Sequence, residues 1–202
     1  MADFIIAPGI RDSDISSPPT FAEKIRIFHA QTSGWRLSIA DFLINGWKDN
    51  AGTTHPAIPE AGFAAVAILF TYFEPIGRYL DGDCSEDKMG FFFKKGLHAV
   101  FPSIREHANP RGVKSVEDML WKAVRCGIYH AGMTRGGIFL TGDITSPIEV
   151  PSDYKVLAIN PHLLVKAELA HLESYRMNLL RSGETSEVGA RFVARFDYDR
   201  RQ

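Results

Sequence analysis

The feature that most constrains this chain is the run from Ala61 to Phe73, which is apolar almost throughout and carries no charge. A membrane-spanning helix needs roughly 18–20 such residues, so a run this short is read as a buried helix. The helix is expected from about Glu60 to Leu80. Phe63, Val66, Ile68, Leu69, Phe70, Tyr72, Phe73 and Ile76 leave it apolar on nearly every face, which makes it the central helix that others wrap. Glu74 is its only charge between Ala61 and Gly77, and a buried carboxylate needs a partner. Pro75, next in the chain, is expected to kink the helix and open room there.

The remaining sequence suits one domain over residues 1–202, with 45% hydrophobic and 23% charged residues. Cys84 and Cys126 are its two cysteines, too few for a disulfide framework, and read as free thiols in a reducing compartment. Met1 to Pro8 lacks the basic start of a secretory signal. A cytoplasmic location without a membrane partner is the expectation. A net charge of -1 argues against a generic, charge-driven nucleic-acid binder. Arg191, Arg195, Arg200 and Arg201, and the adjacent Lys94 and Lys95, are read as solvated.

Residues 1–19, with Pro8, Gly9, Pro18 and Pro19, look like an extended arm. Thr20 is a candidate cap for a first helix. Phe21, Ile25, Phe28, Trp35, Ile39, Phe42 and Trp47 keep its 3.6-residue phase, with Gly34 as a bend or break. Residues 50–59 form a loop. Another helix or helix pair covers Ser85 to Phe101 and ends at Pro102, and 109–114 is a turn. Ser115 with Asp118 three residues on is a capping-box-like start, and the helix it opens reaches about His130, where Gly132, Gly136 and Gly137 break it. Ile138–Thr141, Ile148–Val150 and Lys155–Ile159 are short strand candidates. Asn160-Pro161 is a cap with proline at the first helical position, opening a helix to about Arg181 that stops at Gly183. Residues 189–202 read as a basic, partly aromatic tail, a strand or a docking arm. The fold class is therefore mainly α: a helical bundle of four to five helices (20–182) around the apolar central helix, with a small β-strand insert, about 137–159, before the last helix.

The helix from Ser115 carries the chemistry. At 100° per residue, Val116, Met119, Leu120, Ala123, Val124 and Gly127 share the core side. Arg125 then points the opposite way, with Trp121 and Tyr129 four residues before and after it, an outward stripe of aromatic, arginine, aromatic. Such a stripe asks for cover by a substrate base, a second subunit, or the chain's own strand insert or tail. His130, five positions after Arg125, diverges from it by 140° on a continuing helix. Two copies around a two-fold axis, or unwinding at the glycines, would bring the two side chains together. Glu74 is a candidate partner for Arg125 or a group orienting His130.

Other readings of these residues stay open. Cys126 and His130 lie at i, i+4 and could form a nucleophile pair, though without an evident third group. The same pair could be half of a zinc site with Cys84, His98, His107, His162 or His171, but none of these has tight ligand spacing. No metal and no cofactor is expected. His29 and His55, with the other four histidines, carry no motif, and all six are read as surface or satisfied core side chains.

Spacing alone makes Arg-x-x-x-x-His nearly uninformative; its context adds more. The segment Arg125-Cys126-Gly127-Ile128-Tyr129-His130-Ala131-Gly132 ends a capped helix and is followed by a Gly-rich strand and then the Asn160-Pro161 helix. It resembles the HEPN-domain family, marked by an arginine, four to six residues and a histidine near the end of the penultimate helix of a helical bundle. The position after the arginine, often polar in that family, is Cys126. The resemblance implies a metal-independent endoribonuclease, usually a homodimer, of the toxin–antitoxin or phage-defence kind. It implies Arg125 and His130 as catalytic groups at a dimer cleft, RNA as substrate and an antitoxin-type protein as partner. Glu74, Tyr129 and Cys126 then support the site, and Trp121 and Tyr129 form its substrate or dimer surface. The alternative within the same family is an inactive HEPN-like binding or dimerisation module.

Overall fold

The computed structural model describes residues 3–85, 87–106, 115–131, 137–150 and 156–201, the side chains of 105, 106 and 129–131 excepted. The fold is mainly helical with small sheets. The expected turn at 109–114, the glycines at 132 and 136, and the strand start at Lys155 lie outside the described residues.

The first residues are folded, not an extended arm. Strands β1 (Ile5–Ala7) and β2 (Ile10–Arg11) pair antiparallel, and Ala7 and Ile10 are buried in the core. Thr20 caps α1 (Phe21–Thr32): its hydroxyl accepts from the Glu23 N–H at 3.3 Å, and the Glu23 carboxylate accepts from the Thr20 N–H at 2.7 Å. These hydrogen bonds, the Thr20 backbone N–H first, hold the Glu23 carboxyl down to about 2. At Gly34 the helix passes through a π-helical turn (Ser33–Leu37) and continues as α2 (Ser38–Asn45). Trp47 is not on this helix. Gly46, at φ 71°, ends it, and Trp47 pairs with His55 across the hairpin of β3 (Trp47–Lys48) and β4 (Thr54–His55).

The apolar run does not make one helix over 60–80. It makes α3 (Gly62–Leu69) and α4 (Phe73–Asp81), separated at Phe70–Tyr72. Pro75 is the reason. It has no N–H, and its ring would clash with the Thr71 carbonyl in a continuous helix; restarting at Phe73 places it in a first turn, where no N–H is needed. The run is still the centre of the core, with Val66, Leu69, Phe70, Tyr72, Phe73 and Ile76 all 1% exposed or less.

Helix α5 (Met89–Val100) packs closely on α4. A Cβ on Gly77 would collide with the Phe92 carbonyl oxygen, and a Cβ on Gly96 with the Phe73 carbonyl oxygen. Two glycines, one on each helix, thus let the two backbones touch. A continuous helix follows over 116–131: α6 (Val116–Met119), a π-helical turn (Leu120–Arg125) and α7 (Cys126–Ala131). Ser115 caps it, its hydroxyl accepting from the Asp118 N–H at 3.2 Å. Lys94 to Asp118 at 2.8 Å, and His98 to Glu117, strap its start to α5.

Strands β5 (Ile138–Leu140), β6 (Ile148–Glu149) and β7 (Leu157–Ile159) form the insert as one sheet ordered β5-β7-β6, with β5 parallel and β6 antiparallel to β7. Asn160 joins it to α8 (Pro161–Ser182). Its side-chain oxygen accepts from the N–H of His162 and Leu163, and its amide donates to the Gly142 and Ile144 carbonyls at 3.2 and 3.0 Å. The segment from Gly189 is no docking arm: it belongs to α9 (Glu187–Asp199). Ser186 caps α9, and Phe192 and Phe196, four residues apart, are buried; Phe192 meets the rings of Phe21, Phe28 and Tyr79. The basic residues are also not simply solvated. Arg191 pairs with Glu187, Arg195 with Asp199, and Lys95 with Asp81. Among the described residues no helix is long and apolar enough to cross a membrane.

Since Gly96 meets backbone, which cannot rotate aside, Gly96→Ala is expected to cost at least about 1–3 kcal/mol of stability. Urea denaturation reads this as a lower midpoint. A midpoint equal to wild type would show that α4 and α5 do not approach this closely.

Candidate functional site

The core side of the 116–131 helix is as its spacing predicts. Val116, Leu120, Ala123, Val124 and Gly127 are buried, and Met119 packs against them partly covered. The opposite side is not the open stripe that a uniform wheel gives. Trp121 is half-buried: its ring centroid lies 5.1 Å from that of Phe93, and the indole covers Gly90. Its cover is therefore α5, not the strand insert or the tail. The physical reason is tertiary: α5 brings Phe93 and the side-chain-free Gly90 against the indole.

Arg125 turns inward toward α4. Its Nη2 lies 3.5 Å from Glu74 Oε2, and its side chain is 20% exposed. The guanidinium centre also sits 6.0 Å from the Trp121 ring, so the two keep the shared side that their i, i+4 spacing gives. Glu74 is the hub. Its other oxygen, Oε1, takes Arg78 Nη2 at 3.2 Å. Arg78 in turn donates to the Ser85 carbonyl and lies 4.6 Å over the Phe92 ring. One half-buried carboxylate thus holds two arginines, one on its own helix and one on the neighbouring helix. Around Arg125 is a small apolar cavity of about 30 Å³, lined by Ala67, Phe70, Thr71, Val124 and Ile128.

Cys126 is partly buried and a free thiol, as is Cys84. The backbone of α7 carries Tyr129 and His130 in helical geometry, while their side chains lie outside the described residues. Other histidines have local partners. His171 Nδ1 shares a hydrogen bond with the Tyr72 hydroxyl at 2.8 Å, His162 Nδ1 lies 2.8 Å from Asn45 Oδ1, and His55 stacks on Trp47 with centroids 4.4 Å apart. His29 lies 3.4 Å from Glu173. His107 lies outside the described residues. Among the described residues no group of three His, Cys, Asp or Glu side chains is placed to hold a metal ion.

Two features were not anticipated from the sequence. The first is Glu168 on α8, whose carboxylate oxygens are buried and have no hydrogen-bond partner among the described residues. Burial pushes its carboxyl well above the usual range, favouring the protonated form. Burial lowers the His171 imidazole, one turn along, so it stays neutral. The second is a polar cleft of about 580 Å³ beside Glu74, into which Arg36, Arg78, Arg195 and Asp199 project from three separate segments. Sequence distance hid it: no local motif joins residues 36, 78 and 195.

Replacing Glu74 with glutamine removes the charge shared by both arginines. Glu74→Gln is expected to lower stability by about 1–3 kcal/mol, measured by urea denaturation, because both guanidinium groups are half-buried or more. A second expectation concerns pH. The folded state keeps the Glu168 proton, whereas the unfolded chain releases it above about 4.3. Stability contributed by this group is therefore fully present below that value and lost as pH rises, by up to about 1.4 kcal/mol per unit. His171 acts with opposite sign, its contribution falling as pH drops below about 6.5. Glu168→Gln should therefore make the decline in unfolding free energy above about pH 6.5 shallower than in wild type. Parallel profiles for the two proteins would show that Glu168 is solvated. Comparison of the chain with models of known families, with curated proteins and with solved structures finds no match.

Proposed function

We propose that the chain is a HEPN-like, metal-independent endoribonuclease, a helical bundle of four to five helices that acts as a cytoplasmic homodimer. The observation that carries this reading is the arginine. Arg125, near the end of a capped helix and five residues before His130, is fixed by Glu74 at 3.5 Å yet keeps 20% of its side chain exposed. A held guanidinium is what phosphate recognition requires.

In this reading the ribose 2′-oxygen attacks the adjacent phosphorus. The P–O2′ bond forms and the P–O5′ bond breaks, leaving a 2′,3′-cyclic phosphate and a free 5′-hydroxyl. His130 takes the 2′-hydroxyl proton or gives one to the departing 5′-oxygen, a task for which imidazole is the usual side chain. Arg125 stabilises the charge that develops on the phosphoryl oxygens. A second copy of the chain places two such pairs in one cleft, with Tyr129 and the uncovered edge of Trp121 at the subunit boundary or against a base. Cys126 and Glu74 support the site. An antitoxin-type protein is the corresponding partner.

One observation favours the second reading, an inactive binding or dimerisation module: Glu74 already neutralises Arg125, as a purely structural ion pair would. Cleavage of a mixed RNA pool in EDTA separates the two. Wild type is expected to cut, with products ending in 2′,3′-cyclic phosphate. Arg125→Ala and His130→Ala should each lose about 10²–10⁴-fold in rate while staying folded and dimeric. Equal background in all three proteins would leave the binding module as the better account.

A further inference from the structure

The cleft beside Glu74 does not end there. A second cavity of about 280 Å³ adjoins it, and the two share Gln31, Tyr79 and Asp199 as a common wall. Arg36, Arg78 and Arg195 line the first cavity, and Arg200 lines the second. Against these four guanidinium groups stand the carboxylates of Glu74 and Asp199. The groove is therefore net positive in a chain whose overall charge is -1. Its charges are also held in place. Arg78 and Arg195 have side chains only 9% and 11% exposed, Arg195 binding Asp199 at 2.5 Å and the Asp83 carbonyl at 3.3 Å. Arg36 and Arg200 at the two ends are exposed, and Arg36 makes no hydrogen bond or ion pair among the described residues.

Buried arginines that set a positive floor, with exposed arginines at either end, fit a chain of phosphates better than a single anion. The two cavities lie in a row along a shared wall, a path that a flexible strand can follow. Glu74 connects this groove to the other helix, because the carboxylate that lines it also holds Arg125. We infer that the groove is a track for single-stranded RNA, in which Arg36 and Arg200 contact backbone phosphates of the strand that Arg125 and His130 would cut. The identity of the polyanion rests on the endoribonuclease reading; the groove itself does not.

The test uses full-length protein carrying His130→Ala, so that RNA is bound but not cut, with a fluorescein-labelled oligouridylate of about ten nucleotides as probe. Fluorescence anisotropy is measured over a range of salt concentrations. Arg36→Glu combined with Arg200→Glu is expected to weaken binding by about tenfold or more. It should also flatten the slope of log affinity against log salt by about 0.7 for each lost phosphate contact. Arg181→Glu, an exposed charge reversal at the end of α8 and outside both cavities, should leave affinity and slope at the control value. The inference is overturned by absence of binding at about 50 mM salt, by an equal loss in the Arg181 variant, or by polyglutamate displacing the RNA at matched charge, which marks an acidic-protein site. The two readings fail separately. If EDTA-resistant cleavage is absent but this binding pattern holds, the nuclease reading falls and the track stands. If cleavage is present and the double charge reversal leaves its KM unchanged, the track falls and the nuclease stands.

Discussion

The contact on which the rest depends is the backbone approach of α4 and α5 at Gly77 and Gly96. Neither position has room for a methyl group, because the opposing atom in each case is a carbonyl oxygen of the partner helix. Glycine weakens a helix by roughly 1 kcal/mol relative to alanine, so two in facing helix interiors need a compensating gain. The gain is the aromatic layer that close approach allows, with Phe73 edge-on to Phe93 at 5.5 Å and Phe93 against Trp121 at 5.1 Å. Through Trp121, Lys94 and His98, α5 then fixes the helix that carries Arg125. The position of the candidate site is thus set two contacts away, by two hydrogen atoms in place of side chains.

Pro75 acts on the same element from the other end. By forcing α4 to restart at Phe73, it puts Glu74 in the first turn of a helix, where a carboxylate is favoured by the orphan N–H groups. A half-buried acid at that point would be costly alone. Arg78 from the next turn and Arg125 from the neighbouring helix remove that cost, and the pairing in turn fixes where Arg125 can lie.

Local chemistry made much of the fold legible. Thr20, Ser115 and Asn160 each cap the helix their sequence announces, and the three short strands fall where β-branched residues stand between turn signals. What the sequence concealed came from effects a single window does not contain. The cover of Trp121 by α5 and of Arg125 by Glu74 comes from other helices, which a helical wheel does not contain. The last helix was missed because its hydrophobic stripe, Phe192 and Phe196, is short and surrounded by arginines whose acidic partners Glu187 and Asp199 lie one turn away. At the candidate site the Glu74–Arg125 pair was legible as one option among several, since a lone charge in an apolar run must be answered by something. The groove arginines were not, because residues 36, 78, 195 and 200 converge only through tertiary packing.

The ion pair at Arg125 raises the question of how a neutralised arginine can still recognise a phosphate. The stoichiometry answers it. Glu74 meets two guanidinium groups, one through each oxygen, so its single charge is divided between them. In a half-buried setting such charges are poorly screened and act further than they would in water. A carboxylate shared in this way orients Arg125 without cancelling its field. In the proposed reading a phosphate would meet a guanidinium already fixed in direction, so little side-chain entropy would be left to lose on binding. The same sharing ties α4 to the helix that carries Arg125, so the contact that offsets the burial of Glu74 also sets the direction of that guanidinium.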